Sequence, residues 1–221
     1  MTDRLADACA LVAAAQPAAC IFDFDGTLVD TGTLNTDAAR ATLTDLGLTI
    51  PELWLREAPL ADLTALRRRL RADLGVPLPC TDAEFVDRAR AHWLARAGLV
   101  RPVAHVAALA RHLASVSVPL AVASANDGQV VRASLTAVGL TDLFDTVIAR
   151  EHVTRLKPAP EVYRLAAARL SVAPHRCLAF ENTDQGIAAA HAAGVPVIDV
   201  RHRAWTVDEP SGGGRAGGPI A

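Results

Sequence analysis

The chain has 221 residues, long enough for one sizeable core and a smaller accessory unit. Apolar residues make up 51%, charged residues 21%, and the formal net charge is −2, which argues against a disordered polymer and against a basic nucleic-acid-binding domain. Aromatics are only 4%, so the core must come from aliphatic side chains.

The segment 1–17 reads as an amphipathic helix ending at Pro17. Asp3 and Asp7 interrupt its apolar run, which does not suit a signal peptide. No stretch approaches the ~20 apolar residues needed to span a bilayer. The first strand is Ala18 to Phe24, broken at Asp25-Gly26. From Thr33 to Leu99 the pattern is helical, with no convincing strand. Leu34, Ala38, Ala41 and Leu46 keep helical spacing up to Gly47, and further helices are expected over Leu60–Leu74 and Asp82–Ala97, the latter capped by Thr81 or Asp82. The run Arg67-Arg68-Arg69 is flanked by acids and reads as a solvated helix face.

After Pro102 helices and strands alternate. Helices are expected at Val103–Leu113, Gly128–Val138, Pro160–Leu170 and Asp184–Ala193. Strands are expected at Pro119–Ser124, Thr146–Ala149, Cys177–Phe180 and Val195–Val200. This rhythm implies an α/β fold, a doubly wound parallel sheet with helices on both faces and a helical insertion after the first strand. The expected organisation is a core of 1–31 and 102–207, an inserted unit of 32–101, and a flexible Gly/Pro-rich tail over 208–221. Cys9, Cys20, Cys80 and Cys177 form no C-x-x-C pair, so a reducing, cytoplasmic setting is expected.

In such sheets ligands sit at the carboxyl ends of the strands. Polar residues gather there: Asp23 and Asp25 after the first strand, Ser124 after the second, Lys157 after the third, and Glu181, Asn182 and Asp184 after the fourth. Carboxylates brought this close repel one another and resist burial, so they need a cation. Magnesium suits oxygen ligands, whereas zinc would call for Cys or His. Magnesium and a lysine together cradle a phosphoryl group.

The string Asp23-Phe24-Asp25-Gly26-Thr27-Leu28-Val29-Asp30 resembles the first motif of the haloacid dehalogenase superfamily. Ser124 in VASAN resembles the second, Lys157 in LKPAPEVY the third, and FENTDQGIAAAHAAG from Phe180 the fourth. The resemblance runs from Ala18 to about Val200, and it implies roles. Asp23 would be the nucleophile that becomes phosphorylated. Asp25 would protonate the leaving oxygen and then activate water, with its backbone carbonyl on magnesium. Lys157 would tie nucleophile to phosphate. Ser124, Ala125, Asn126, Gly26 and Thr27 would bind the substrate phosphate. Asp23, Asp25, Glu181, Asn182 and Asp184 would form the Mg2+ site. Asn182 departs from the family's usual aspartate, with Asp184 expected to compensate in part. The insertion resembles the helical cap of the phosphoglucomutase-like branch, which closes over the site and excludes water.

The implied function is a phosphatase of a small phosphate ester, such as a sugar phosphate or phosphoglycolate. No nucleic-acid or membrane partner is expected, and the chain would be a monomer or weak homodimer. The alternatives are a sugar-phosphate mutase and an inactive binding protein. A phosphonoacetaldehyde hydrolase would need a cap lysine, and Lys157 is the only lysine. A mutase would need a second phosphate site, yet Asp127 stands where mutases carry a lysine and Asn35 where they carry a cap histidine. Arg56 or an arginine among Arg67–Arg71 could restore such a site.

Plainer roles compete at several positions. Ser124 also reads as a helix cap, Asp30 as a hinge or cap, and Asn35 as a solvated helix residue. Trp54 and Trp93 read as the core of the inserted unit, and the seven histidines as surface or packing residues.

Overall fold

The computed structural model describes residues 2–58, 60, 63–144, 146–202 and 204–210. The helix α1 (Thr2–Ala15) leads into the strand β1 (Ala19–Phe22). A short strand β2 (Val29–Asp30) precedes the helices α2 (Leu34–Asp45), α3 (Glu52–Arg56), α4 (Leu63–Leu74) and α5 (Asp82–Leu94). Strand β3 (Arg101–Pro102) then returns the chain to α6 (Ala104–Ser115). The remaining elements are β4 (Leu120–Ala123), α7 (Gly128–Ala137), β5 (Thr146–Ile148), α8 (Glu161–Arg169), β6 (Cys177–Glu181), α9 (Asp184–Ala193), β7 (Val197–Asp199) and β8 (Val207–Asp208).

The main sheet has the order β5-β4-β1-β6-β7-β8. All pairs are parallel except the edge pair β7–β8. The sheet is thus mostly parallel, as expected, with one short antiparallel strand at its edge. That strand also takes residue 208 out of the expected tail, whose part from 211 onward lies outside the described residues. Because β1 lies between β4 and β6, the chain builds one side of the sheet and then crosses to the other. The crevice at the carboxyl end of β1 is therefore the topological switch point where such sheets bind ligands.

Strand side chains alternate between faces, and β1 shows it plainly. Cys20 and Phe22 join Val122, Leu178, Phe180 and Ile198 beneath α1, α6 and α7. Ala19 and Ile21 join Ala121, Ala179 and Val197 beneath α8 and α9. Phe22 stacks on Phe180 with ring centroids 4.5 Å apart. The second face is rich in alanine, which lets α8 bring Tyr163, fully buried, close beneath the sheet.

The inserted helices have a hydrophobic cluster of their own, in which Leu43, Leu55, Leu66, Leu70 and Phe85 are buried. Thr81 starts α5 with a reciprocal capping box with Glu84, as its position in the sequence indicates. The insertion leaves and rejoins the core through β2 and β3, which pair antiparallel with Val29 opposite Pro102. This pair is two residues long on each side, too short for period-two alternation to signal it.

Candidate active site

β1 and β6 are neighbours with Phe22 opposite Phe180, so Asp23 and Glu181 leave the sheet side by side. The Asp23 backbone N–H donates to Phe180 O at 2.9 Å, which extends the ladder one residue past β1. Lys157, carried by the loop before α8, donates from Nζ to Asp23 Oδ1 at 2.6 Å, to Glu181 Oε1 at 2.5 Å and to Ala123 O at 3.0 Å. All three side chains are essentially buried.

This burial sets the electrostatics. Desolvation pushes the Asp23 carboxyl up to about 7; Lys157 opposes the shift, and the charges of Glu181 and Asp25 add to it. Burial pulls the Lys157 ammonium down, but Asp23 and Glu181 together outweigh it and hold it above its ordinary value. Lys157 therefore stays charged beside the nucleophile candidate.

Glu181, expected to hold a metal, is surrounded here by hydrogen-bond donors. Its Oε1 accepts from Lys157 and from the Tyr163 hydroxyl at 2.8 Å. Its Oε2 accepts from the backbone N–H groups of Asn182 and Thr183 and from Thr183 Oγ1. Both carboxylate oxygens thus accept from protein donors, Lys157 among them. Tyr163 and Gly186 escaped the sequence reading. A Cβ on Gly186 would lie 1.8 Å from Glu181 Oε1, so the glycine is what lets α9 pass over the buried carboxylate. A glycine inside an otherwise alanine-rich helix was the available signal.

Asp25 faces a cavity of about 250 Å³ between the insertion and the core. Gly26, at φ +79°, turns the chain back, and the backbone N–H groups of Thr27, Leu28 and Val29 close on Phe24 O. Thr31 Oγ1 and Asn35 Nδ2 each donate to Asp25 Oδ1 at 3.0 Å. Asn126 Nδ2 reaches Oδ2 at 3.3 Å. Asn35 Oδ1 in turn accepts from Trp93 Nε1 at 2.9 Å. Asn35 is thus no solvated helix residue, and Trp93 belongs to the cavity wall as well as to a hydrophobic core. Trp54 lies elsewhere, donating to Asp73 under the Arg69 guanidinium.

The loop after β4 brings Ser124, Ala125 and Asn126 to the same region. Ser124 is buried and its Oγ accepts from the Asn126 N–H at 3.0 Å. It does not cap the following helix. Asp127 does, accepting from the N–H groups of Gln129 and Val130. Asp127 also accepts from Arg90 Nε in α5 at 2.9 Å. Thr27 is fully buried and donates to Asn182 Oδ1 at 3.2 Å.

Asp184 is not brought to this cluster. It starts α9 with its side chain 88% exposed and pairs with Arg201 at 2.8 Å. Asp30 accepts from the Gly32 N–H, a local turn contact. Among the described residues, no group of three or more His, Cys, Asp or Glu side chains is arranged to hold a metal. Asp23 follows β1 directly with its carboxylate, Asp25 follows two residues on, and Asn182 follows β6 with its amide oxygen. This is a hard-oxygen set with little charge. It fits magnesium, which keeps several waters and takes one or two carboxylates plus substrate oxygens, and not zinc. No helix among the described residues is long and apolar enough to cross a membrane.

Residues 20–200 match the family model of the haloacid dehalogenase-like hydrolases. Protein CbbY of Cereibacter sphaeroides is 32% identical over 191 residues, spanning 81% of this chain and 82% of that protein. Fructose-1-phosphate phosphatase YqaB of Escherichia coli is 43% identical over 83 residues, which is 38% of this chain and 44% of that protein's length. The crystal structure of CbbY from Rhodobacter sphaeroides with phosphate superposes with a TM-score of 0.73 at 29% identity, covering 82% of this chain and 84% of that one. A second structure of that protein, in complex with xylulose 1,5-bisphosphate, gives the same TM-score at 28% identity and the same coverage. With the family model matched from β1 to just past β7, this chain belongs to the haloacid dehalogenase-like hydrolase family.

Proposed function

We propose that this chain, a phosphoric monoester hydrolase of its family, hydrolyses a small sugar monophosphate through a phosphorylated Asp23, with magnesium as cofactor. The observation that carries the reading is the buried Asp23–Lys157–Glu181 chain at the end of β1, with Asp25 two residues on, facing the cavity. The residues 32–101 act in this reading as a cap over a core of 1–31 and 102–207.

The chemistry follows from the placement. An Asp23 carboxylate oxygen bonds to phosphorus while the bond to the leaving oxygen breaks. Asp25 gives its proton to that oxygen, and the alcohol departs. Water then attacks phosphorus, its proton passes to Asp25, and Asp23 is regenerated with inorganic phosphate released. Lys157 holds Asp23 in place and offsets the phosphoryl charge. Ser124, Ala125, Asn126, Gly26 and Thr27 lie on the loops that would receive the phosphoryl oxygens. Magnesium, held by Asp23, the Asp25 carbonyl and Asn182, would supply further charge neutralisation. Glu181 acts on the metal site only through Lys157 and its backbone neighbours, and Asp184 has no part in it.

The cavity favours water over a mutase's second phosphate as the partner of the reaction. Arg56 pairs with Glu52, Arg67 with Asp82, and Arg69 with Glu57 and Asp73. None of them lines the cavity. Arg90 and Arg150 do, and Asp87 and Asp127 flank Arg90. The relatives named for fructose 1-phosphate and crystallised with a ketose bisphosphate support a sugar phosphate as substrate class.

The test is phosphate release from a panel of sugar phosphates and phosphoglycolate, with magnesium and with chelator. Magnesium-dependent release from a sugar monophosphate supports the reading. Absence of release from every monoester, or glucose 6-phosphate formed from β-glucose 1-phosphate faster than free phosphate, would overturn it.

A further inference from the structure

We infer that the sugar phosphate this site takes is partly deoxygenated, with its bare carbons lying against an apolar wall of the cap. The inference rests on the proposed function and narrows the substrate class of that same site.

The cavity changes character along its length. At Asp25 it is polar, and the Asn35 and Asn126 amides both reach that carboxylate. One turn along α2, about 5 Å on, Ala38 and Ala39 form the wall instead. From α5 come Phe85, Val86, Ala89 and Trp93, whose spacing sets them on one stripe of the helix. Phe85 and Trp93 are buried, whereas Val86 and Ala89 are only half-buried and keep part of their side chains open. Val130 of α7 continues the apolar lining on the core side.

The polar groups of the cavity are largely committed to one another. Asn35 Oδ1 accepts from Trp93 Nε1 and from Asn126 Nδ2, while its own Nδ2 donates to Asp25. Asn126 Oδ1 accepts from the Asp127 N–H at 2.8 Å. Arg90 pairs with Asp87 and Asp127. A hydroxyl pressed against the α5 wall therefore gives up water and finds no partner there. A bare carbon in the same place leaves water at a gain. A fully hydroxylated sugar carries a hydroxyl at nearly every edge. In a cavity of about 250 Å³ walled from α2, α5 and α7, at least one of those hydroxyls meets carbon. The hydroxyls that remain on a deoxygenated sugar have the side of the cavity lined by Arg90 and Arg150 to face.

A hydrophobic site disfavours an added hydroxyl by up to about 100-fold in kcat/KM, and by less where water still reaches the cavity. The experiment takes the sugar monophosphate that the wild type turns over fastest. It compares kcat/KM for that ester with each analogue lacking one hydroxyl or, where the best ester is itself a deoxy sugar, with its hydroxylated parent. At least one deoxy compound should exceed its parent by about 5–50-fold. Val86→Asn places an amide on the wall and should shrink that preference by about threefold or more, chiefly by improving the hydroxylated ester. Ala89→Ser, a smaller change on the same stripe, makes the same comparison where Val86→Asn does not fold. A preference that the folded variant leaves intact would overturn the inference, because the wall would not be its source. A wild type inert on every ester, deoxy compounds included, would overturn the proposed function and this inference with it. An active wild type for which every deoxy compound is equal to or worse than its parent overturns this inference alone.

Discussion

Arg90 in α5 lies 2.9 Å from Asp127, the residue that caps α7, so an ion pair joins the inserted helices to the sheet-bearing part of the chain beside the cavity. From the sequence, Asp127 stood out only as an acid where mutases carry a lysine. In the structure it pairs with Arg90, and both line the cavity. Asp127→Asn keeps a good helix cap while removing the charge. The ratio of kcat/KM for fructose 1,6-bisphosphate over fructose 1-phosphate should then rise by about fivefold, the effect of about 1 kcal/mol. An unchanged ratio would show that Arg90 does not reach the distal end of the substrate.

Asp23→Asn should abolish turnover, because an amide cannot attack phosphorus. It should also stabilise the protein in chelator at pH 8. Burial first, then Glu181 and Asp25, raise the Asp23 carboxyl from 3.8 to about 7 against the pull of Lys157. The stability this group contributes is complete below about pH 3.8 and is lost as pH rises through about 7. At pH 8 the ionised carboxylate is a cost that the amide lacks. Allowing for the lost pairing with Lys157, the gain should be about 1–3 kcal/mol. It should shrink toward pH 5, where the wild-type carboxyl is protonated. Thermal unfolding at both pH values measures it, and a variant less stable than wild type at pH 8 would contradict the buried-charge account.

Gly186→Ala tests the role of Glu181. The new methyl would collide with the Glu181 carboxyl group and displace it from Lys157 and Tyr163. Alanine ordinarily favours a helix over glycine by about 1 kcal/mol. Here the sign should reverse, with a loss of about 2–4 kcal/mol and of most activity. Tyr163→Phe removes one donor without a collision and should cost about 1 kcal/mol with a few-fold loss of kcat. If Gly186→Ala is tolerated, Glu181 is not confined as described.

The strand ends were legible because chemistry and topology coincide there. Asp23, Ser124 and Glu181 each close a short apolar run and Lys157 stands in the loop after another, and the continuity of those runs identified the strands to within two residues. Residues whose meaning depends on a distant partner were not legible. Asn35 looked solvated because nothing in its helix announces that Asp25, Trp93 and Asn126 converge on it from three separate segments. The donors around Glu181 were not legible because a sequence does not show that Tyr163 and the turn of Thr183 reach its carboxylate. The partner of Asp184 was not legible because Arg201, seventeen residues on, lies across the next strand. The two-residue strands β2, β3 and β8 carry too few side chains for any periodic signal.

Asn182→Asp addresses the thin charge of the metal site. With Glu181 engaged by Lys157 and its own backbone, Asp23 is the one carboxylate in the proposed donor set, and Asn182 offers an amide oxygen that already accepts from Thr27. Replacing that amide adds a negative charge beside the cation, and the concentration of magnesium giving half-maximal activity should fall several-fold, about 1 kcal/mol of added attraction. The same charge sits near Asp23 and Glu181, so without metal it should destabilise the fold. The variant should therefore unfold at a lower temperature than wild type in chelator and at an equal or higher one in saturating magnesium, a crossing of the two curves that a purely structural effect would not produce. The Thr27 hydroxyl can donate to a carboxylate as well as to an amide, so the loop after β1 keeps its contact and the comparison stays clean. A magnesium requirement unchanged or raised, with no crossing in the unfolding temperatures, would place Asn182 outside the metal site.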